Sequence, residues 1–345
     1  MKNLSPKTII PIFIALAILL TPPTVHSAGS KYLFKIASLA PAGSVWANHF
    51  DNFSREITEK SNGEITFKVY PGGVMGDDRA MYRKMQIGQL HGGGFTMTGI
   101  SEIIPDFRVL GIPVLFDSLQ EVDKVTEALL PSFKKAFAEK NLSLVAMTEV
   151  GFVYTMSTVP IKDLDLLRKS KCWLPPNDPI NQAFFEDIGI SPIQLSIPDV
   201  LSSLQTGLID TVFNSFYGAI VLQWFTKTSY ITDAPFGYAY GALVFSKKAM
   251  DRLPPEYVAM IDELAEKHFS KLLADTRRSN EEALAALKQN GIKIIEPTPE
   301  ALRQLKMHRE KTVKKTIGKA FSKEIHAETM QVLSEIRRLA KVSGH

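Results

Sequence analysis

Apolar and polar positions along the chain follow two periods, one of strands and one of helices. YLFKIAS (32–38) reads as a strand, and EITFKVY (64–70) alternates as one. Between them SVWANHFDNFSREITEKSNG (44–63) has the spacing of an amphipathic helix that stops at Asn-Gly. The glycine loop PGGVMGDD leads into a helix at 78–87, and GGFTMTG (93–99) predicts a buried strand with its exit loop. A helix at 119–140 and strands at 143–149 and 152–157 close this first run. A second run fills 171–246, with strand 171–174, helices 178–188 and 197–206, strand 208–213 and helix 215–226. This alternation predicts an α/β fold with a mostly parallel sheet in each half. From Glu256 to Asn290 there is neither proline nor glycine. At 1.5 Å per residue that stretch makes a helix of about 50 Å, long enough to cross both halves.

Length changes the picture little: 345 residues, 45% hydrophobic, suffice for two globular domains sharing an interface. The N-terminus changes it more. MKNLSPK, then the apolar TIIPIFIALAILL, then TPPTVHSA, describe a secretory signal over residues 1–28, too short in its apolar part for a membrane span. The expectation is export to the periplasm, with cleavage after Ser27 or Ala28. No cysteine follows the apolar run, so a lipid anchor is not expected. The formal charge of +4 falls to +2 once Lys2 and Lys7 are removed with the signal, and nucleic acid is not an expected partner. The basic stretch 306–319 reads as a solvated helical face. One cysteine excludes an internal disulfide, so the core must supply stability.

Candidate chemistry is sparse. HGGGF (91–95) resembles the oxyanion loop of some lipases, but an esterase also needs Gly-x-Ser-x-Gly, and Ser215 in FNSFYG lacks the first glycine. Close backbone packing at a strand edge is the simpler reading of HGGGF. PGGVMGDD lacks the Gly-Lys-Ser/Thr of a phosphate loop, and Asp77 and Asp78 fit a helix start instead. The seven histidines show no ligand spacing, so neither a metal nor another cofactor is expected, and no catalytic residue is assigned. Cys172, beside Lys171 in KCWLPP, reads as a buried inert thiol.

The order of strand–SLAPAGS–helix, ITFKVYPGGVMGDD, MQIGQLHGG, VLGIPVLF, GFVYTMSTVPIKDL and DVLSSLQTGLIDTVFNS resembles the DctP-type substrate-binding proteins of TRAP transporters, over about residues 32–325. The resemblance implies a two-lobed α/β periplasmic binding protein, with a ligand cleft between the lobes and the long helix bridging them. The lobes expected are 29–152 plus about 241–282, and 153–240 plus about 283–345. It further implies a small-molecule ligand handed to the membrane subunits of a TRAP permease. Two departures stand out. The family strand lysine–apolar–arginine is KCW here, so Trp173 replaces the arginine that clamps a ligand carboxylate by a two-pronged hydrogen bond. A second family arginine follows Gly-Phe, where this chain has Val153. Asn214 in DTVFNS matches a family ligand-contact asparagine.

The expected ligand-binding residues are therefore Trp173, Asn214, Phe95, Val153, Phe213 and Tyr217. A carboxylate buried there without a cation costs several kcal/mol. Burying about 300 Å² of apolar ligand surface instead gains roughly 7 kcal/mol before association costs. The expected ligand is neutral, apolar or amphipathic; the alternatives are a carboxylate held by Lys171, Arg79 or a metal ion, and a secreted esterase. The branch lacking the arginine includes members that pair with a periplasmic tetratricopeptide-repeat protein. On this reading Trp173 reports ligand by its fluorescence, whereas Trp46 and Trp224 do not.

Overall fold

The computed structural model describes residues 30–343, so the signal segment expected at 1–28 lies outside the described residues. The chain begins β1 (Tyr32–Ser38), α1 (Val45–Lys60), β2 (Ile65–Tyr70), α2 (Asp78–Gln86), β3 (Gly92–Thr96) and α3 (Met97–Ile103). A 3-10 segment (Pro105–Gly111), α4 (Leu119–Glu139) and the long strand β4 (Leu142–Ser157) complete the first run. The second is α5 (Leu164–Arg168), β5 (Trp173–Leu174), α6 (Pro179–Asp187), β6 (Ile193–Gln194), α7 (Ile197–Thr206), β7 (Thr211–Asn214), α8 (Phe216–Val221), a 3-10 turn and β8 (Tyr230–Ser246). Then come α9 (Lys247–Met250), α10 (Pro255–Gln289), β9 (Lys293–Ile295), α11 (Pro299–Thr316) and α12 (Lys323–Ser343).

Local chemistry sets many of the helix boundaries. Ser44 caps α1 by accepting from Ala47 N, and the chain leaves it through Asn62 (φ 50°) and Gly63 (φ 80°). Asp77 caps α2 in the same way, accepting from Ala80 N, which is the role read from the glycine loop.

The sheet differs from the expected pair of parallel sheets. One sheet runs β2-β1-β3-β8-β4-β7, with β9 on β8 and a small β5–β6 pair apart. β1 pairs parallel with β2 and β3, but β8 is antiparallel to β3 and β4, and β4 to β7. The two stretches read as strands at 143–149 and 152–157 are one strand, bent at Gly151 (φ 110°) rather than interrupted. The sequence pattern does not mark β8, because 230–246 carries apolar residues on both faces, without a clean alternation. HGGGF lies inside the sheet, not at its edge: a Cβ on Gly92 would come within 2.5 Å of the Phe245 ring and 2.7 Å of Val244 O.

α10 is a single helix of 35 residues. Its first half (Ile261, Leu264, Phe269, Leu272) joins the core of Phe34, Phe53 and Phe245 in the first lobe. Its end (Ala283, Leu287) joins Val200, Val212 and Trp224 in the second. The helix therefore bridges the lobes. Residues of α12, read with the second lobe, pack in the cluster of Phe107 from the 3-10 segment and Val122 and Phe133 from α4 of the first, and Arg337 bonds Glu121 at 2.7 Å.

Candidate ligand-binding cleft

Both lobes present the same local unit to the space between them. In the first, β3 ends at Thr96, whose hydroxyl accepts from Gly99 N and starts α3. In the second, β7 ends at Asn214, and the Ser215 hydroxyl accepts from Gly218 N to start α8. Ligands of open α/β proteins collect at such carboxyl ends of strands. A cleft of about 330 Å³ lies there.

Five of the six expected ligand residues line it: Phe95, Val153, Trp173, Phe213 and Asn214. Each owes its place to a strand. The Trp173 indole stands edge-on to Trp224 with centroids 5.1 Å apart, and its Nε1 donates to Leu195 O at 2.8 Å. Phe213 packs on Phe236 (4.6 Å) and Phe185 (5.3 Å), making a ring-lined wall. Asn214 Oδ1 accepts from Ser215 N at 2.8 Å. Tyr217 does not line the cleft. Its ring rests on Trp46 at 5.1 Å and its hydroxyl accepts from Val45 N at 2.8 Å, so it ties α8 of one lobe to α1 of the other. Spacing along the sequence could not separate these roles, because Tyr217 sits one turn past a strand end that does reach the cleft.

Trp46 and Trp224 also line the cleft beside Trp173. Cys172 is fully buried behind the wall, and burial pushes its thiol up to about 12, which leaves it inert. Ser215 is buried as a helix cap, and the three glycines of HGGG are spent in the β1 and β8 ladders, so the parts of an esterase are not assembled. Among the described residues no three His, Cys, Asp or Glu side chains converge as metal ligands.

Sequence reasoning missed the polar end of the cleft. Asp78, read only as part of a helix start, turns both carboxylate oxygens to Thr96, accepting from its N (2.9 Å) and Oγ1 (2.7 Å). Burial is the main cause that raises its pKa to about 6. Arg79 Nε lies 3.6 Å from Glu102. Glu102 in turn accepts from Asn177 Nδ2 at 2.7 Å, a bond across the cleft between lobes. Asp178 caps α6, accepting from Asn181 N and Nδ2, and burial raises its pKa above the usual carboxylate value. The signal available was PPNDP (175–179), which starts two residues after Trp173 and lines the cleft through Pro175–Asp178.

Behind the cleft the lobes meet around a charge network. β4 and β8 both cross between lobes, and their pairing slips register at Glu149/Gly151 and Val153/Tyr154. Glu149 is buried there and bonded to Arg277 of α10 at 2.7 Å, while Arg277 also pairs with Asp123 of α4. Asn280 donates to Val150 O at 3.0 Å and accepts from Tyr217 N at 3.0 Å.

Two α/β lobes, strand ends facing a cleft and a bridging helix make a receptor geometry, and the comparison with protein families agrees. The model of bacterial extracellular solute-binding protein family 7, DctP, matches residues 36–320. The chain belongs to that family. Solute-binding proteins of family 7 are receptors, not enzymes, and their setting is the periplasm; among the described residues no helix is long and apolar enough to cross a membrane. The 2,3-diketo-L-gulonate-binding periplasmic protein YiaO of Escherichia coli is 24% identical over 70% of this chain and 74% of its own length. The ectoine/5-hydroxyectoine-binding periplasmic protein UehA of Ruegeria pomeroyi is 25% identical over 72% of this chain and 71% of its own. Among solved structures, the sugar acid binding protein of Advenella mimigardefordensis in complex with galactonate superposes with a TM-score of 0.83. It covers 89% of this chain and 99% of that one at 19% identity, and so supports the fold.

Proposed function

We propose that this family 7 receptor binds a neutral, apolar or amphipathic small molecule in the cleft and delivers it to the membrane subunits of a TRAP-type permease. One observation carries the ligand class: Trp173, buried and held by Leu195, occupies the place where the resemblance leads one to expect a carboxylate-clamping arginine. Val153, at the second such place, also lines the cleft. Of the alternative cations, Lys171 is occupied, its Nζ donating to Gly207 O at 2.9 Å away from the lining, and Arg79 faces Glu102. A sugar acid such as the galactonate held by the Advenella protein would find one cation in this lining, Arg79, and that one loosely paired with Glu102 at 3.6 Å. An aromatic wall supplies apolar burial instead.

Capture proceeds by closure of the lobes on the ligand, bending at α10 and at the crossovers near 150–153 and 237–241. The register slips in β4–β8 support hinges at those points. A periplasmic tetratricopeptide-repeat protein as additional partner belongs to the same proposal and comes from the resemblance alone.

The test is mass spectrometry of the small molecules released on denaturing the purified protein, followed by calorimetric titration of the released compound, galactonate and succinate. Recovery of an uncharged or amphipathic compound that rebinds is the expected result. Saturable micromolar binding of galactonate or succinate without added metal would overturn the ligand class.

A further inference from the structure

The cleft carries its charge at one end, and that charge is acidic. Four carboxylates line it, Asp77, Asp78, Glu102 and Asp178, against the single guanidinium of Arg79. The other cation nearby, Arg108, sits behind the wall around a separate void of about 10 Å³ with Asp178 and Asn181. Arg108 Nη1 donates to Ala320 O at 3.1 Å, and its buried Nε has no hydrogen-bond partner among the described residues. A ligand carboxylate entering the cleft would lose its water beside like charges.

What these side chains offer a ligand is acceptor capacity. An ionised carboxylate has about four lone-pair sites and no proton to give. Asp78 accepts two bonds from Thr96, Asp178 two from Asn181, and Glu102 one from Asn177, so each keeps sites to spare. Asp78 and Glu102 belong to the first lobe and Asp178 to the second. A donor placed among them is therefore held from both sides when the lobes meet. The remaining wall is ring surface, from Phe95, Trp173, Phe213 and Phe236. Ring faces accept hydrocarbon and also attract cations.

We infer that the ligand is amphipathic, with a polar head that donates hydrogen bonds and carries no negative charge, an ammonium or a hydroxyl. The head sits between Asp78, Glu102 and Asp178, and the apolar body lies against Trp173 and Phe213. This rests on the receptor reading above and adds the chemistry of the head.

Three probes that share a phenyl body and differ at the head make the test: 2-phenylethylammonium, 2-phenylethanol and 3-phenylpropanoate. Each is titrated, by calorimetry and tryptophan fluorescence, into protein freed of endogenous ligand by unfolding, dialysis and refolding. The ammonium and the alcohol should each bind at least about tenfold more tightly than the carboxylate. Equal or tighter binding of 3-phenylpropanoate overturns the inference, and so does failure of all three to bind at millimolar concentration. Glu102→Gln keeps an acceptor for Asn177 while deleting the charge, and should lower the ammonium-to-carboxylate affinity ratio about fivefold. An unchanged ratio also overturns it. The two readings fail differently: micromolar binding of galactonate or succinate sinks the apolar ligand class, whereas a preference for 3-phenylpropanoate removes only the acidic head site.

Discussion

The two walls of the cleft are built from the same strand–cap–helix unit and differ in balance, the second lobe's mostly aromatic and the first lobe's carrying three of the four carboxylates. In the second lobe β5 and β7 supply Trp173, Phe213 and Asn214, backed by Trp224, Phe185 and Phe236. In the first lobe β3 ends in Phe95 and Thr96, and the start of α2 and the far end of α3 bring Asp78 and Glu102 to the rim. The backbone places side chains at strand ends without choosing their chemistry. The fold that holds galactonate in the Advenella protein therefore does not by itself fix the ligand here.

The strongest way to break the contrast is to remove its aromatic side. Trp173→Ala should weaken binding of the copurified ligand about thirtyfold or more, costing about 2 kcal/mol or more of affinity. Because Trp173 is only 4% exposed and belongs to the second-lobe core, the same change should also cost roughly 3–5 kcal/mol of stability. Denaturant titration beside calorimetry separates the two effects. Trp173→Phe, which keeps a ring, should recover most of the stability, and equal affinity in Trp173→Phe, Trp173→Ala and wild type would take this residue out of the site.

On the acidic side, Asp78 tests whether the rim is a strained charge. An acid whose folded pKa is raised, here from 3.8 to about 6, binds its proton more firmly in the folded state. Stability from this group is thus present below about pH 4, falls as pH rises towards 6, and is level above that. Asp78→Asn should remove that fall, seen as a difference between the melting temperatures of variant and wild type that grows from pH 4 to pH 6. Other carboxylates act in the opposite direction: hydrogen bonds from Lys267 and His268 hold Glu56 down to about 2, so its contribution is lost as pH drops below 4.5. A difference that stays flat across pH 4–6 would show Asp78 to be an ordinary first-turn residue of α2.

The smallest effect concerns the residue that the cleft does not use. Tyr217→Phe deletes one hydrogen bond between lobes, from Val45 N, and should weaken ligand binding by about 1 kcal/mol by favouring the open form. Small-angle scattering should show a larger radius of gyration for the ligand-free variant. A loss of affinity as large as in Trp173→Ala would return Tyr217 to the ligand.

Much of this molecule was legible in the order of its residues. Asn62–Gly63 ends α1, Asp77 caps α2, and the stretch without glycine or proline from 256 onward is one helix, because caps, breakers and helical spacing act within a few residues of themselves. The glycines at 92–94 were legible as close packing, and Trp173 as a wall where a clamp was expected. What the sequence could not decide was which distant segments meet. β8 pairs with both β3 and β4 across some 70 to 150 residues of chain, and that pairing merges two expected sheets into one. Glu102 meets Asn177, Arg277 meets Glu149, and Tyr217 meets Val45 only because the lobes come together there. The periodicity of a segment reports how much of it is buried but not against what. The acidic head of the cleft, assembled from the starts of two helices and the body of a third, is therefore a product of tertiary structure alone.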